Sequence, residues 1–82
     1  MKEQGTIILI PSFEPNKKFI NYIQQLKNYF SSIVVVNDGS KAEYQPIFDC
    51  INQYDEVQVI GYNTNKGKGY ALKHGYKYID DT

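Results

Sequence analysis

Two short runs decide what this 82-residue chain can become. TIILI at residues 6–10 and IVVV at residues 33–36 are β-branched, apolar and free of alternation. A strand wetted on one face alternates, so a run with no polar face must be covered on both sides. Each run is followed by a segment of helical period, so the chain supplies its own covers. After the first run, Phe19, Ile20, Ile23, Leu26 and Phe30 recur at helical spacing, and Pro15 suits the first turn of that helix. After the second, Ser40 and Glu43 spell a Ser-x-x-Glu capping box, with Tyr44, Ile47, Phe48 and Ile51 facing inward. EVQVI at residues 56–60 alternates only in part and reads as a third strand, at an edge. A third helix follows, with Ala71, Leu72, Gly75 and Ile79 inward. The order is βαβαβα, one small domain. Right-handed crossovers make its sheet parallel, which gives a three-layer α/β/α arrangement of Rossmann-like type. The three loops that lead into helices then share the carboxyl edge of the sheet, where open α/β sheets bind ligands.

Composition removes several classes of function. Nine basic and nine acidic residues balance to zero, which argues against a nucleic-acid module resting on a basic face. The single cysteine, Cys50, excludes an internal disulfide framework and a multi-cysteine zinc site, and its apolar setting reads as a small core residue. No stretch approaches the roughly 18 apolar residues of a membrane span. The apolar run near the N-terminus is too short for a signal peptide, so the expected location is the cytoplasm. His74 is the only histidine, has no second histidine or serine constellation near it, and reads as a structural or surface residue. No residue is assigned a catalytic or metal-ligating role.

Three loop segments carry the chemistry. IPSFEP at residues 10–15 is a strand-to-helix turn that would place the Phe13 ring and backbone groups at a ligand crevice. NDGS at residues 37–40 is built of ordinary turn residues. It also delivers a carboxylate, Asp38, to the tip of a buried strand, where an acceptor-only group would suit a base edge that donates N–H. NTNKGKGYAL at residues 63–72 is glycine-rich and basic. It is neither a P-loop nor a dinucleotide fingerprint, because the glycine spacing and the place after the third strand fit neither. Its backbone N–H groups, with Lys66 and Lys68, could still face a diphosphate. An exposed turn with solvated lysines is the competing reading.

Together, TIILIPSFEPNKKFINYIQQL, IVVVNDGSK and NTNKGKGYALKHGYKY resemble the amino-terminal half of family 2 glycosyltransferases, over residues 6–79. The family pattern runs from a strand into Pro-Thr/Ser-Tyr/Phe-Asn-Glu, from a second strand into Asp-Asp-Gly-Ser, and then through Asn-x-Gly-Lys-Gly-x-Ala-Leu. The resemblance implies the GT-A fold and a nucleotide-diphosphate sugar donor, most often a UDP-sugar. It implies transfer to a glycan or lipid-linked acceptor, as in polysaccharide or cell-envelope glycan synthesis. Pro11, Ser12 and Phe13 would line the nucleoside pocket, and Glu14 would match the acidic end of the first motif. Asp38 would hydrogen-bond the base, Gly67 would let the backbone approach, and Lys68 would stand near the nucleotide. Asn37 replaces the first of the two usual aspartates, and the asparagine that usually precedes the glutamate is missing.

The resemblance further implies a divalent cation, magnesium or manganese, held in the complete enzyme by an Asp-x-Asp motif after a fourth strand. Asp80 and Asp81 precede that strand and read as the loop leading into it. Residues 1–82 are therefore expected to be the nucleotide-sugar-binding half of a GT-A domain, without metal ligands and inactive alone. The implied strand order, 3-2-1-4, would leave the first strand's outer edge bare, so self-association through residues 6–10 is expected. Two other readings stay open: a sugar nucleotidyltransferase-like domain, and a non-catalytic α/β interaction domain.

Overall fold

The computed structural model describes residues 2–81. Strand β1 (Glu3–Ser12) leads to helix α1 (Lys18–Leu26), and β2 (Phe30–Asp38) to a 3-10 turn (Ala42–Tyr44) and helix α2 (Gln45–Ile51). Strand β3 (Val57–Tyr62) leads to helix α3 (Lys68–Asp81). The described strands form one parallel sheet in the order β1-β2-β3, the relative order expected for these three.

β2 is the central strand, paired with β1 along one edge and β3 along the other, and its unbroken apolar run tolerates cover on both faces. Side chains alternate across a strand, so its residues divide between two layers. Ile33 and Val35 join Ile23 of α1, Phe48 and Ile51 of α2, and Val57 of β3 in the main core. Ile8 and Ile10 of β1 pack against that cluster. Val34 and Val36, also buried, face the other way, toward the side covered by α3. There Gly75 admits the Leu9 side chain, whose Cδ1 lies 2.4 Å from where a Cβ on residue 75 would stand. The result is the three-layer α/β/α arrangement, with α1 and α2 on one face and α3 on the other.

Several boundaries differ from those read in the sequence, each for a local reason. Pro11 does not end β1, which pairs on through Pro11↔Val36 and Ser12↔Asn37. An edge strand tolerates a proline because the missing N–H can face away from its neighbour. Phe30 is not in α1; it opens β2, paired with Glu3, yet still packs against the main core. A residue four beyond Leu26 has helical spacing whether or not the helix continues. Pro15 precedes α1 rather than occupying its first turn, and the Asn16 side-chain oxygen accepts from Lys18 N–H at 2.9 Å near the helix start. The Ser40–Glu43 capping box does not form, because the Ser40 hydroxyl accepts from Glu14 N–H at 2.8 Å instead. α2 starts later, with a proline in its first turn. Asp80 and Asp81 belong to α3 and not to a loop. Cys50 is half-buried on α2 rather than a core residue.

Candidate functional site

In a parallel sheet every strand points the same way, so β1, β2 and β3 release their loops at one edge. A cavity of about 480 Å³ opens there. β1 contributes Pro11 and Ser12, with Phe13 just beyond, and β2 contributes its last residue, Asp38. Asn65, Gly67 and Lys68 close it from the β3–α3 side. Six of the residues expected from sequence therefore meet at one cavity: Pro11, Ser12, Phe13, Asp38, Gly67 and Lys68. Its size suits a small organic ligand.

Asp38 is the centre of this edge. It is 4 % exposed, yet each carboxylate oxygen has two donors. Oδ1 accepts from the Tyr62 hydroxyl at 2.6 Å and from Lys66 N–H at 2.9 Å. Oδ2 accepts from the Asn65 side-chain amide at 3.0 Å and from Gly67 N–H at 3.0 Å. The same Asn65 amide also donates to the Asp38 backbone carbonyl at 3.0 Å. An ionised carboxylate offers about four lone-pair sites, so this one is satisfied within the chain. Burial pushes its pKa up, but the Tyr62 hydroxyl and the Lys66 and Gly67 N–H groups outweigh that and hold it below the ordinary value. Burial raises the Tyr62 phenol well above its ordinary value, and the adjacent carboxylate adds to the shift.

The surrounding backbone is shaped to allow this contact. Gly39 has φ +67°, and a Cβ there would lie 2.1 Å from the Asn65 nitrogen. The loop after β2 and the loop after β3 thus touch main chain to main chain. Gly67 has φ +92°, but a Cβ there would meet nothing within 4 Å. Its glycine is required by conformation rather than by crowding within the chain.

The remaining expected residues divide. Ser12 is 9 % exposed at the cavity wall, whereas Phe13, also in the lining, is 50 % exposed. Glu14 does not line the cavity. It adopts φ +48°, unusual for a residue with a side chain, and its Oε2 is buried with no hydrogen-bond partner. Lys66 does not line the cavity either, and its ammonium lies 5.2 Å from the centre of the Tyr70 ring. The His74 ring meets the Tyr62 ring edge to face at 5.0 Å, a packing role.

Tyr62 and Asn65 were not singled out from sequence. Asn65 opens the Asn-x-Gly-Lys-Gly stretch and could have been found there. Tyr62 is one of eight tyrosines and carries no local signal. Its contact with Asp38 exists only because β2 and β3 pair in the register Asp38↔Tyr62.

The described residues do not fit a divalent cation: no group of three or more His, Cys, Asp or Glu side chains could hold one. Asp38, the carboxylate at the cavity, faces donors on both oxygens. Among the described residues no helix is long and apolar enough to cross a membrane.

The chain is an α/β domain with a parallel sheet, and its cavity lies at the carboxyl edge, where open α/β sheets in general hold ligands. The family model described as glycosyl transferase family 2 matches residues 7–81, and the chain belongs to that family. No curated protein and no solved structure matched the chain.

Proposed function

We propose that the cavity at the carboxyl edge binds the nucleotide of a sugar donor, a UDP-sugar, for transfer to a glycan or lipid-linked acceptor in polysaccharide or cell-envelope glycan synthesis. The observation that supports this most is the convergence of three sequence-distant segments, at Pro11–Phe13, Asp38 and Gly67–Lys68, on one cavity. Membership of a glycosyltransferase family supports sugar transfer as the reaction class.

The chain's own residues would act as donor holders. The exposed Phe13 ring offers a face for the base, and Pro11 and Ser12 bound the nucleoside. Lys68 stands at the start of α3, where first-turn N–H groups have no intrahelical acceptor. That end favours negative charge, so the diphosphate belongs there, both in the donor and as it departs with its charge developing. Glu14 lies outside the lining and is proposed only to shape the loop after β1. No residue here is proposed as the catalytic base, and the isolated chain is proposed to be inactive. The complete enzyme is proposed to act in the cytoplasm or at the cytoplasmic membrane face, with a cation held outside the described residues.

NMR titration of the chain with UDP tests the reading. Binding of about millimolar strength is expected, with shifts at Phe13, Asp38, Gly67 and Lys68. Shifts confined to other surfaces would refute it. Calorimetry with and without manganese should give the same affinity, and micromolar manganese-dependent binding would place a metal site within these residues.

A further inference from the structure

A carboxylate at a strand tip invites the role of reading a base, but the Asp38 carboxylate already accepts from four donors within the chain. Those donors are not scattered. All belong to residues 62–67, the end of β3 and the loop that delivers Lys68 and the first turn of α3 to the cavity.

We infer that Asp38, Tyr62 and Asn65 form a clasp whose task at the site is positioning: they hold the loop after β3 so that Lys68 and the start of α3 face the ligand's phosphates. This rests on the nucleotide reading of the cavity and assigns Asp38 to the phosphate side of it rather than to base recognition.

Three features support the assignment. First, the backbone N–H groups of Lys66 and Gly67 point at Asp38, so they are not available to a diphosphate. The protein's own carboxylate occupies the concavity that these successive N–H groups make. Phosphate contact is left to Lys68 and to N–H groups further into α3. Second, Asn65 donates both to the side chain and to the backbone carbonyl of Asp38, which fixes the loop to the strand as well as to the carboxylate. Third, Tyr62 is held from behind by the rings of Tyr70 and His74, at 5.2 and 5.0 Å, both on α3. Its hydroxyl therefore ties the strand tip to the helix that carries Lys68. A base N–H could reach Asp38 only by displacing one of these donors.

Three probes separate the roles: uridine, UDP and inorganic pyrophosphate, titrated into the 82-residue chain by NMR. Tyr62→Phe keeps the ring and removes only the hydroxyl, and Asn65→Ala is a second, independent opening of the clasp. Both should weaken UDP and pyrophosphate by roughly tenfold, and Tyr62→Phe, at a residue outside the cavity lining, should leave uridine within about twofold. Amide exchange at Lys66 and Gly67 should speed up in both variants. Equal losses for uridine and UDP in Tyr62→Phe would overturn the inference and return Asp38 to the base. Unchanged affinity for every probe, in a variant whose spectrum is otherwise native, would also overturn it. If the wild-type chain binds none of the three, the nucleotide reading of the cavity falls and takes this inference with it.

Discussion

Asp38 and Gly39 show how much one position can depend on a distant one. The bond between Tyr62 and Asp38 requires a neutral phenol and an ionised carboxylate, so it fails at both ends of the pH scale. The folded pKa of Asp38 is lowered. Its contribution is therefore complete above the unfolded value, about 3.9, and is lost as pH falls through the folded value. The folded pKa of Tyr62 is raised. Its contribution is complete below the unfolded value, about 10, and is lost as pH rises through the folded one. Chemical denaturation across pH should show stability falling at both limits, with the alkaline limb flattened in Tyr62→Phe. An alkaline limb identical to wild type would show that the phenol's shift contributes nothing to folding. Gly39→Ala is expected to cost roughly 2–4 kcal/mol, from a left-handed backbone plus a Cβ against main chain. That is a large share of the about 4–12 kcal/mol available to a chain this size, so a lowered melting temperature should be plain in calorimetry. The sequence made Asp38 stand out, because a carboxylate ending an apolar run is conspicuous, and the structure places it at the cavity. It could not show that the carboxylate is already satisfied, since Tyr62, Asn65 and the two N–H groups lie more than twenty residues away.

The elements were legible wherever periodicity was the whole signal. The two apolar runs became β1 and β2, and the helical patterns became α1, α2 and α3. What failed were assignments in which one residue had two possible partners. Ser40 matched a capping box, but its hydroxyl went to Glu14 N–H across the loops, a contact of sequence separation 26. Phe30 fitted the helical period and the sheet equally well, and pairing with Glu3 decided the matter. Ser40→Ala should accordingly leave the helicity of α2 unchanged in circular dichroism while costing about 0.5–1.5 kcal/mol. The loss should be read at the Glu14 amide, whose exchange speeds up when its acceptor is removed. A measurable fall in helicity would restore the cap.

Taken whole, the molecule is a three-layer α/β/α arrangement whose β1 pairs with β2 alone among the described strands. Thr6 and Ile7 are exposed on that strand, Ile7 at 47 %. Bare apolar edges pair with other chains, so the isolated chain should self-associate in sedimentation experiments as concentration rises. Ile7→Lys should reduce this without touching the core, because Ile8 packs on the main core and Leu9 against Gly75. A wild-type monomer at high concentration would refute the expectation. The overall order of strands and helices was readable in advance because parallel topology leaves few choices once element order is known. The contact of main chain with main chain at Gly39 was not, and it bears on how such a cavity can diversify. Two loops that touch at the backbone cannot change length separately: an insertion at residues 39–41 would need a matching one near residues 63–65. The loop after β1 is joined to this pair by the bond from Glu14 to Ser40 and is otherwise less constrained. Lineages or laboratory selections that adapt the cavity to a new ligand should therefore collect their insertions and deletions between Phe13 and Lys17, while the other two loops drift only as a pair.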